Sequence, residues 1–162
     1  MNEIGEPASQ NEYAHEGSNN MIKQFFGRWN IVSWRQEFDD GRRLYPMGEM
    51  PEGFMDYQET ANFYCTIVRS DRGHFATGGQ WDAGQQEKAE AYNSYFSYGG
   101  TFEIQGDLVL HHVKFSLFPN WVGGTQRRKF ELDGDHLHLI ARLEDGTPES
   151  RYAIIEWIRD VN

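Results

Sequence analysis

Hydrophobic and polar residues alternate along most of the chain after residue 26, in short segments separated by turns. A period of two is typical of β-strands that bury one face. The turns at 105–107, 133–135 and 145–148 combine Gly with Asp, residues that tolerate a positive φ. The pattern predicts eight strands, at 29–35, 53–57, 62–69, 95–105, 108–118, 125–132, 136–142 and 152–159. Because short turns join successive strands, we expect antiparallel pairing.

Two segments depart from this alternation. Residues 82–94 are rich in good helix formers, with Asp82 in position to cap them, and predict one short helix that serves as a lid or plug. Residues 1–20 are polar and aperiodic, which predicts a flexible tail before a single domain at 21–162. The residues alone indicate an all-β fold and leave two architectures open, a sandwich or an up-and-down barrel.

Composition narrows the classes of partner. A length of 162 residues fits one domain, and a net charge of −10 opposes binding to nucleic acid or to an anionic membrane surface. No window approaches the length of a membrane-spanning apolar run. Cys65 is the single cysteine, so an internal disulfide is excluded, and residues 1–20 lack the apolar run of a secretory signal. We therefore expect a cytoplasmic protein; homodimer formation is left open.

The start of the first strand carries a motif, Gly27-Arg28-Trp29, similar to the G-x-W signature of lipocalins. With the segments 41–48, 97–103, 111–113, 116–123 and 126–135, the chain resembles the lipocalin-like domain family over residues 26–159. The resemblance implies an eight-stranded antiparallel up-and-down barrel of the calycin type with an internal cavity. It also implies a cationic side chain over Trp29, for which Arg159 is in place. It implies no single reaction, since related barrels include binders, cyclases, isomerases and lyases.

Strand parity predicts which polar side chains face the interior. Charged residues mark the outward faces: Lys114 on one strand and residues 127, 129 and 131 on the next. His111, Gln126 and Arg128 should therefore face inward. The opposite register would turn His112 inward instead of His111. Tyr98 joins them from a neighbouring strand. The further inward positions predicted to contact a ligand are Ser33, Arg35, Tyr64, Thr66, Phe102, Phe115, Phe130 and Trp157, with Trp121 at the rim.

This interior predicts recognition of a small apolar or aromatic molecule that bears a polar or anionic group. Arg128 needs a carboxylate, from Glu103 in the other register or from a ligand, because an unpaired buried charge is costly. His111 is the candidate general acid or base of a cofactor-free isomerase, cyclase or lyase reaction, with Arg128 or Tyr98 stabilising an oxyanion. Two alternatives are a non-catalytic binding or carrier protein, and a packed barrel that serves as an interaction module.

Metal and covalent chemistry are not indicated. His111 and His112 are adjacent and point to opposite faces, while His136 and His138 share a face that is expected to meet solvent. We therefore expect no metal and no cofactor. Cys65 alternates with Tyr64 and Thr66, which predicts an inert thiol pointing away from the cavity.

Overall fold

A computed structural model describes the backbone of residues 10–162 and the side chains from residue 17 onward. Its elements are α1 (Gln10–Lys23), β1 (Gly27–Phe38), β2 (Arg43–Leu44), β3 (Glu52–Tyr57), β4 (Asn62–Val68), α2 (Gln85–Asn93), β5 (Tyr95–Gln105), β6 (Leu108–Ser116), a 3₁₀ turn (Pro119–Trp121), β7 (Thr125–Asp133), β8 (His136–Leu143) and β9 (Arg151–Arg159). Each of the eight predicted strands is present, with ends shifted by at most a few residues. None of the helices is long and apolar enough to cross a membrane, within residues 10–162.

The strands form one antiparallel sheet that closes on itself. Its order is β2-β1-β3-β4-β5-β6-β7-β8-β9, and an additional pairing joins β1 to β9. The short β2 pairs with β1 outside this ring, so eight strands form the closed barrel. The architecture expected from the family resemblance is confirmed. Closure leaves most strand edges paired, which a sandwich would not do.

Two β-bulges interrupt the alternation of faces. On β1 the pairing with β9 skips Val32, passing from Ile31 to Ser33. On β6 the pairing with β5 skips Lys114, because Gly99 pairs with Phe115 while Gly100 pairs with Val113. A bulge adds one residue to one strand, so every side chain beyond it changes face.

The end of α1 and the residues after it close one end of the barrel. The Trp29 indole N–H donates to the Phe25 carbonyl at 2.7 Å. The Arg159 guanidinium lies 4.2 Å from the Trp29 ring and donates to the carbonyls of Phe26 and Gln24 at 3.0 and 2.6 Å. The predicted pairing of Arg159 with Trp29 is confirmed, and it joins the first and last barrel strands to the helix end.

The helices differ from the sequence expectation. Residues 10–20, expected within a flexible tail, form most of α1, and residues 1–9 of that tail lie outside the described part of the chain. Met21 and Ile22, at the end of α1, pack against the barrel core, a tertiary contact that local composition does not reveal. The second helix begins at Gln85 with Gly84 as its N-cap, whereas the Asp82 carboxylate accepts the Gly79 N–H at 2.6 Å. None of the α2 side chains is buried.

Candidate functional site

A buried histidine between two tyrosines forms the centre of the barrel interior. His111, on β6, has no solvent exposure. Its Nε2 lies 2.7 Å from the Tyr57 hydroxyl of β3, and its Nδ1 lies 2.8 Å from the Tyr98 hydroxyl of β5. The Phe63 ring of β4 stacks on the imidazole at 4.2 Å, with 19° between the planes. We refer to Tyr57, His111 and Tyr98 as the Tyr–His–Tyr cluster.

One of the two hydroxyl hydrogens in the cluster has no acceptor within it. Burial, together with the positive charge of Arg128, lowers the pKa of His111 to about 3, so the imidazole is neutral near pH 7. Burial also raises the pKa of Tyr57 and Tyr98, which keeps both hydroxyls protonated. A neutral imidazole offers one donor and one acceptor. One tyrosine therefore donates to His111, the other accepts from it, and the second hydroxyl hydrogen finds no further acceptor in the described part of the chain.

Arg128 places a positive charge beside this cluster. The cross-strand neighbour of His111 on β7 is Gln126, and both Gln126 and Arg128 are half-buried, as their predicted inward parity requires. The Arg128 guanidinium donates to the Arg127 carbonyl at 3.0 Å and to Gln126 Oε1 at 3.3 Å. No carboxylate of the described residues forms an ion pair with it. The charge is therefore available to an anionic group.

Glu103, considered above as a partner for Arg128, faces outward. Its carboxylate lies 3.7 Å from Nε2 of His112, and Nδ1 of His112 lies 2.8 Å from the Thr125 hydroxyl. His111, rather than His112, is thus the inward histidine of β6.

Aromatic rings surround the cluster on both sides. Tyr98 contacts Phe96 and Trp121, each with ring centroids 5.4 Å away. Phe102 lies 4.5 Å from the Tyr57 ring. Trp121 ends the 3₁₀ turn that precedes β7 and covers Tyr98 at the barrel end opposite α1, where it was predicted to form a rim.

The barrel wall is unevenly filled. Inward side chains on β4, β5 and β6 around His111 are buried. On the other side of the barrel Trp29, Leu137, Leu139 and Trp157 are buried, whereas five inward side chains are only half-buried: Trp34, Gln126, Arg128, Phe130 and Ile155. Water therefore reaches these half-buried inward positions on β1, β7 and β9.

On β4 the predicted parity is wrong. Phe63, Cys65 and Ile67 are buried, whereas Tyr64 and Thr66 lie on the outer face. Cys65 pairs with Tyr98 across the sheet, so both point inward. No charged residue marks the outer face of this strand, which carries Asn62, Tyr64, Thr66 and Val68. Cys65 accordingly lies within the barrel core rather than pointing away from it.

The two bulges overturn three further inward predictions. Beyond Val32, Ser33 and Arg35 face outward, and both bind the Glu156 carboxylate, at 3.0 and 3.2 Å. Beyond Lys114, Phe115 faces outward over Gly99 and is 52% exposed. By contrast, Tyr98, Phe102 and Trp157 are buried in the core, and Phe130 packs on the Phe25 ring at 5.0 Å.

Sequence reasoning missed Tyr57 and Phe63 as site residues. Asp56 precedes Tyr57 on β3 and forms an ion pair with Arg28 at 2.8 Å on the outer face. That charged residue was a signal that Tyr57 faces inward. The residues that the structure describes contain no group of three or more His, Cys, Asp or Glu side chains arranged to hold a metal ion.

These observations define the class of protein: a closed antiparallel barrel with a partly polar, aromatic interior. The model of the lipocalin-like domain matches residues 26–159, and the chain belongs to this family.

Three similar proteins place the chain among known ones. It is 36% identical over 62 residues to the 4′-hydroxy-3′-methoxypropiophenone carrier protein of Aspergillus oryzae (strain ATCC 42149 / RIB 40). That match covers 33% of this chain and 56% of the relative, so the chain spans about half the length of this curated relative. A lipocalin-like protein from Bacteroides uniformis ATCC 8492 has a TM-score of 0.45 at 13% identity, covering 82% of this chain and 96% of that one. For an uncharacterized protein from Bacteroides eggerthii DSM 20697, the TM-score is 0.40 at 13% identity, with coverages of 82% and 98%.

Proposed function

We propose that the barrel binds a small aromatic or apolar molecule through a hydrogen-bond-accepting oxygen. The observation that carries this proposal is the surplus hydroxyl hydrogen of the Tyr–His–Tyr cluster. A buried donor without an acceptor costs about 1–3 kcal/mol, and a ligand carbonyl, carboxylate or phenolate would remove that cost. The aromatic rings of Phe96, Phe102 and Trp121 would supply apolar contact around the oxygen.

Arg128 favours an oxygen that carries negative charge. Its guanidinium has only neutral acceptors within the described residues, Gln126 Oε1 and the Arg127 carbonyl. A carboxylate or phenolate beside it would form a charge-assisted hydrogen bond, which is stronger than a neutral one. The proposal therefore ranks an anionic aromatic molecule above a neutral molecule of the same shape.

The similarity to a carrier protein supports binding without turnover. The name of that Aspergillus protein specifies an aryl ketone that carries hydroxy and methoxy groups. Such a molecule combines an aromatic ring with a carbonyl oxygen, the two features that this barrel interior would recognise. We therefore place carriage or sequestration of a small molecule first.

Cofactor-free acid–base turnover, as in an isomerase, cyclase or lyase, is the second candidate. It is favoured by the continuous hydrogen-bond chain through His111, with links of 2.7 and 2.8 Å. The low pKa of His111, caused by burial, disfavours a free imidazolium as the acid near neutral pH. In an enzyme of this geometry a tyrosine hydroxyl would touch the substrate, and His111 would accept or return its proton.

The binding proposal is tested with a matched pair of probes, propiophenone and propylbenzene, which differ in the carbonyl oxygen. Calorimetry on the wild-type chain should show about tenfold tighter binding of propiophenone, the worth of one well-placed buried hydrogen bond. The preference should fall in Tyr98→Phe or in Tyr57→Phe, whichever hydroxyl meets the ligand. Tyr64→Phe, on the outer face, is the matched control and should retain it. Equal affinity for both probes, or a preference that survives both inner substitutions, would contradict the proposal.

Mass spectrometry of the recovered probe separates the two functions. An intact ketone after prolonged incubation is the result expected of a carrier. A product that forms with the wild type and is lost with His111→Gln would instead establish turnover.

A further inference from the structure

Trp157 carries a buried hydrogen-bond donor that the barrel leaves unused. It is 1% exposed, and its Nε1 has no hydrogen-bond partner in the described part of the chain. The indole N–H can only donate. Trp29 shows the ordinary arrangement, since its N–H donates to the Phe25 carbonyl at 2.7 Å. An unsatisfied buried donor is rare in native proteins and calls for a specific explanation.

Trp157 and Tyr98 belong to opposite walls of the barrel. Eight strands form the closed ring, and β9 is four strands from β5 in either direction. Trp157 on β9 and Tyr98 on β5 therefore lie on opposite walls, and both face inward. Ile31, the β1 neighbour of Trp157, and Ile155, two residues before it, pack against the barrel core but are only half-buried, so the wall beside the indole is partly open to solvent.

The inner surface is rich in donors and holds no acidic side chain. Along the described barrel strands, none of the inward positions carries Asp or Glu. The polar groups that face inward near the centre are the two tyrosine hydroxyls, His111, the guanidinium of Arg128, the Gln126 amide and the indole of Trp157. This surface suits a molecule with several acceptors and few donors, and it disfavours amines.

We infer that the barrel ligand is an aromatic molecule with two acceptor oxygens at opposite ends, one bound by a hydroxyl of the Tyr–His–Tyr cluster and the other by the Trp157 N–H. This inference rests on the proposed binding function and adds a second recognition residue to it. The aromatic ring of the ligand, which joins its two oxygens, packs against apolar side chains of the barrel interior. A molecule with one oxygen leaves the indole unpaired and binds less tightly.

The test adds an acceptor to the propiophenone probe. The 2′-, 3′- and 4′-methoxy derivatives are each compared with the corresponding ethyl derivative, which has a similar size but no second oxygen. At least one methoxy probe should bind the wild type about tenfold more tightly than its ethyl counterpart. In Trp157→Phe this ratio should fall to about one, because the lost packing weakens both probes alike. Trp81→Phe, a matched change at a side chain that is 83% exposed, should keep the wild-type ratio.

A spectroscopic measurement on the wild-type chain covers the case in which Trp157→Phe does not fold. The indole ¹H–¹⁵N resonance of Trp157, assigned through its cross-strand neighbour Leu137, should move downfield with the favoured methoxy probe and stay in place with the ethyl probe. If every methoxy and ethyl pair binds equally and the resonance does not move, the inference is overturned. The proposed function survives that result as long as propiophenone still outcompetes propylbenzene, and it fails separately if that preference is absent.

Discussion

Acidification should weaken the fold through His111. In the unfolded chain a histidine has a pKa near 6.5, whereas burial in the barrel lowers the pKa of His111 to about 3. Between these two pH values His111 binds a proton in the unfolded state but not in the folded state. The stability that depends on neutral His111 is therefore complete above about pH 6.5 and is lost progressively as the pH falls towards 3.

The size of this effect follows from the two pKa values. Each pH unit between them costs about 1.4 kcal/mol, so the free energy of unfolding should drop by about 2 kcal/mol between about pH 7.5 and 5 from this residue alone. The loss would approach about 5 kcal/mol near pH 3, a large part of the total stability of a domain of this size.

Urea denaturation across this pH range, on the wild type and on His111→Gln, isolates the contribution. Glutamine keeps one donor and one acceptor between Tyr57 and Tyr98 but does not titrate, so the variant should be less stable at pH 7.5 and should lack about 2 kcal/mol of the pH dependence. His136→Gln, a change at an exposed histidine, is the matched control and should follow the wild-type curve. Parallel curves for the wild type and His111→Gln would refute the assignment of a buried neutral imidazole.

Three further predictions concern stability and reactivity. Arg159→Lys should lower the free energy of unfolding by about 1–3 kcal/mol in urea titrations, because an ammonium cannot cover Trp29 and bond the carbonyls of Phe26 and Gln24 together; an unchanged midpoint would contradict this. Ala61→Gly should raise it by about 0.5 kcal/mol, since Ala61 has a φ of 62°, a left-handed conformation that glycine adopts without strain; a loss of stability would show that the turn is not strained. The Cys65 thiol, 2% exposed and with a pKa raised by burial, should react with a disulfide reagent only as fast as the protein unfolds, and rapid labelling of the native chain would contradict its burial.

Most strands were predictable from the sequence because polar and apolar residues alternate along them. Where charged residues mark that face, as Lys129 does on β7, the inward positions Gln126 and Arg128 also follow. Closure into a barrel was not decided by alternation, since a sandwich presents the same pattern; it came from the family resemblance. The extent of α1 over residues 10–20 was not predicted, because these residues are polar and aperiodic and the contact of Met21 and Ile22 with the barrel core is tertiary.

Parity failed in the site for two physical reasons. On β4 the outer face carries Tyr64 as well as Thr66, and an aromatic residue is equally suited to either face. On β1 and β6 the bulged residues are Val32 and Lys114, neither of which is a Gly or Pro that would signal an irregular strand. The hydrogen-bond surplus of the Tyr–His–Tyr cluster also lies beyond sequence reasoning, because it depends on three strands meeting at one imidazole.

The bulges at Val32 and Lys114 determine which side chains face inward over the rest of β1 and β6. Relative to strict alternation along the sequence, the side chains after each bulge exchange the inner and outer faces. The exchange ends with the strand, at Phe38 and at Ser116. Deleting Val32 would remove the bulge and leave Trp34 inside and Arg35 outside, because Ser33 would then follow Ile31 in regular alternation. Among homologous barrels, a one-residue difference in strand length that falls at a bulge should leave the barrel interior unchanged, and one that no bulge takes up should coincide with a rebuilt interior.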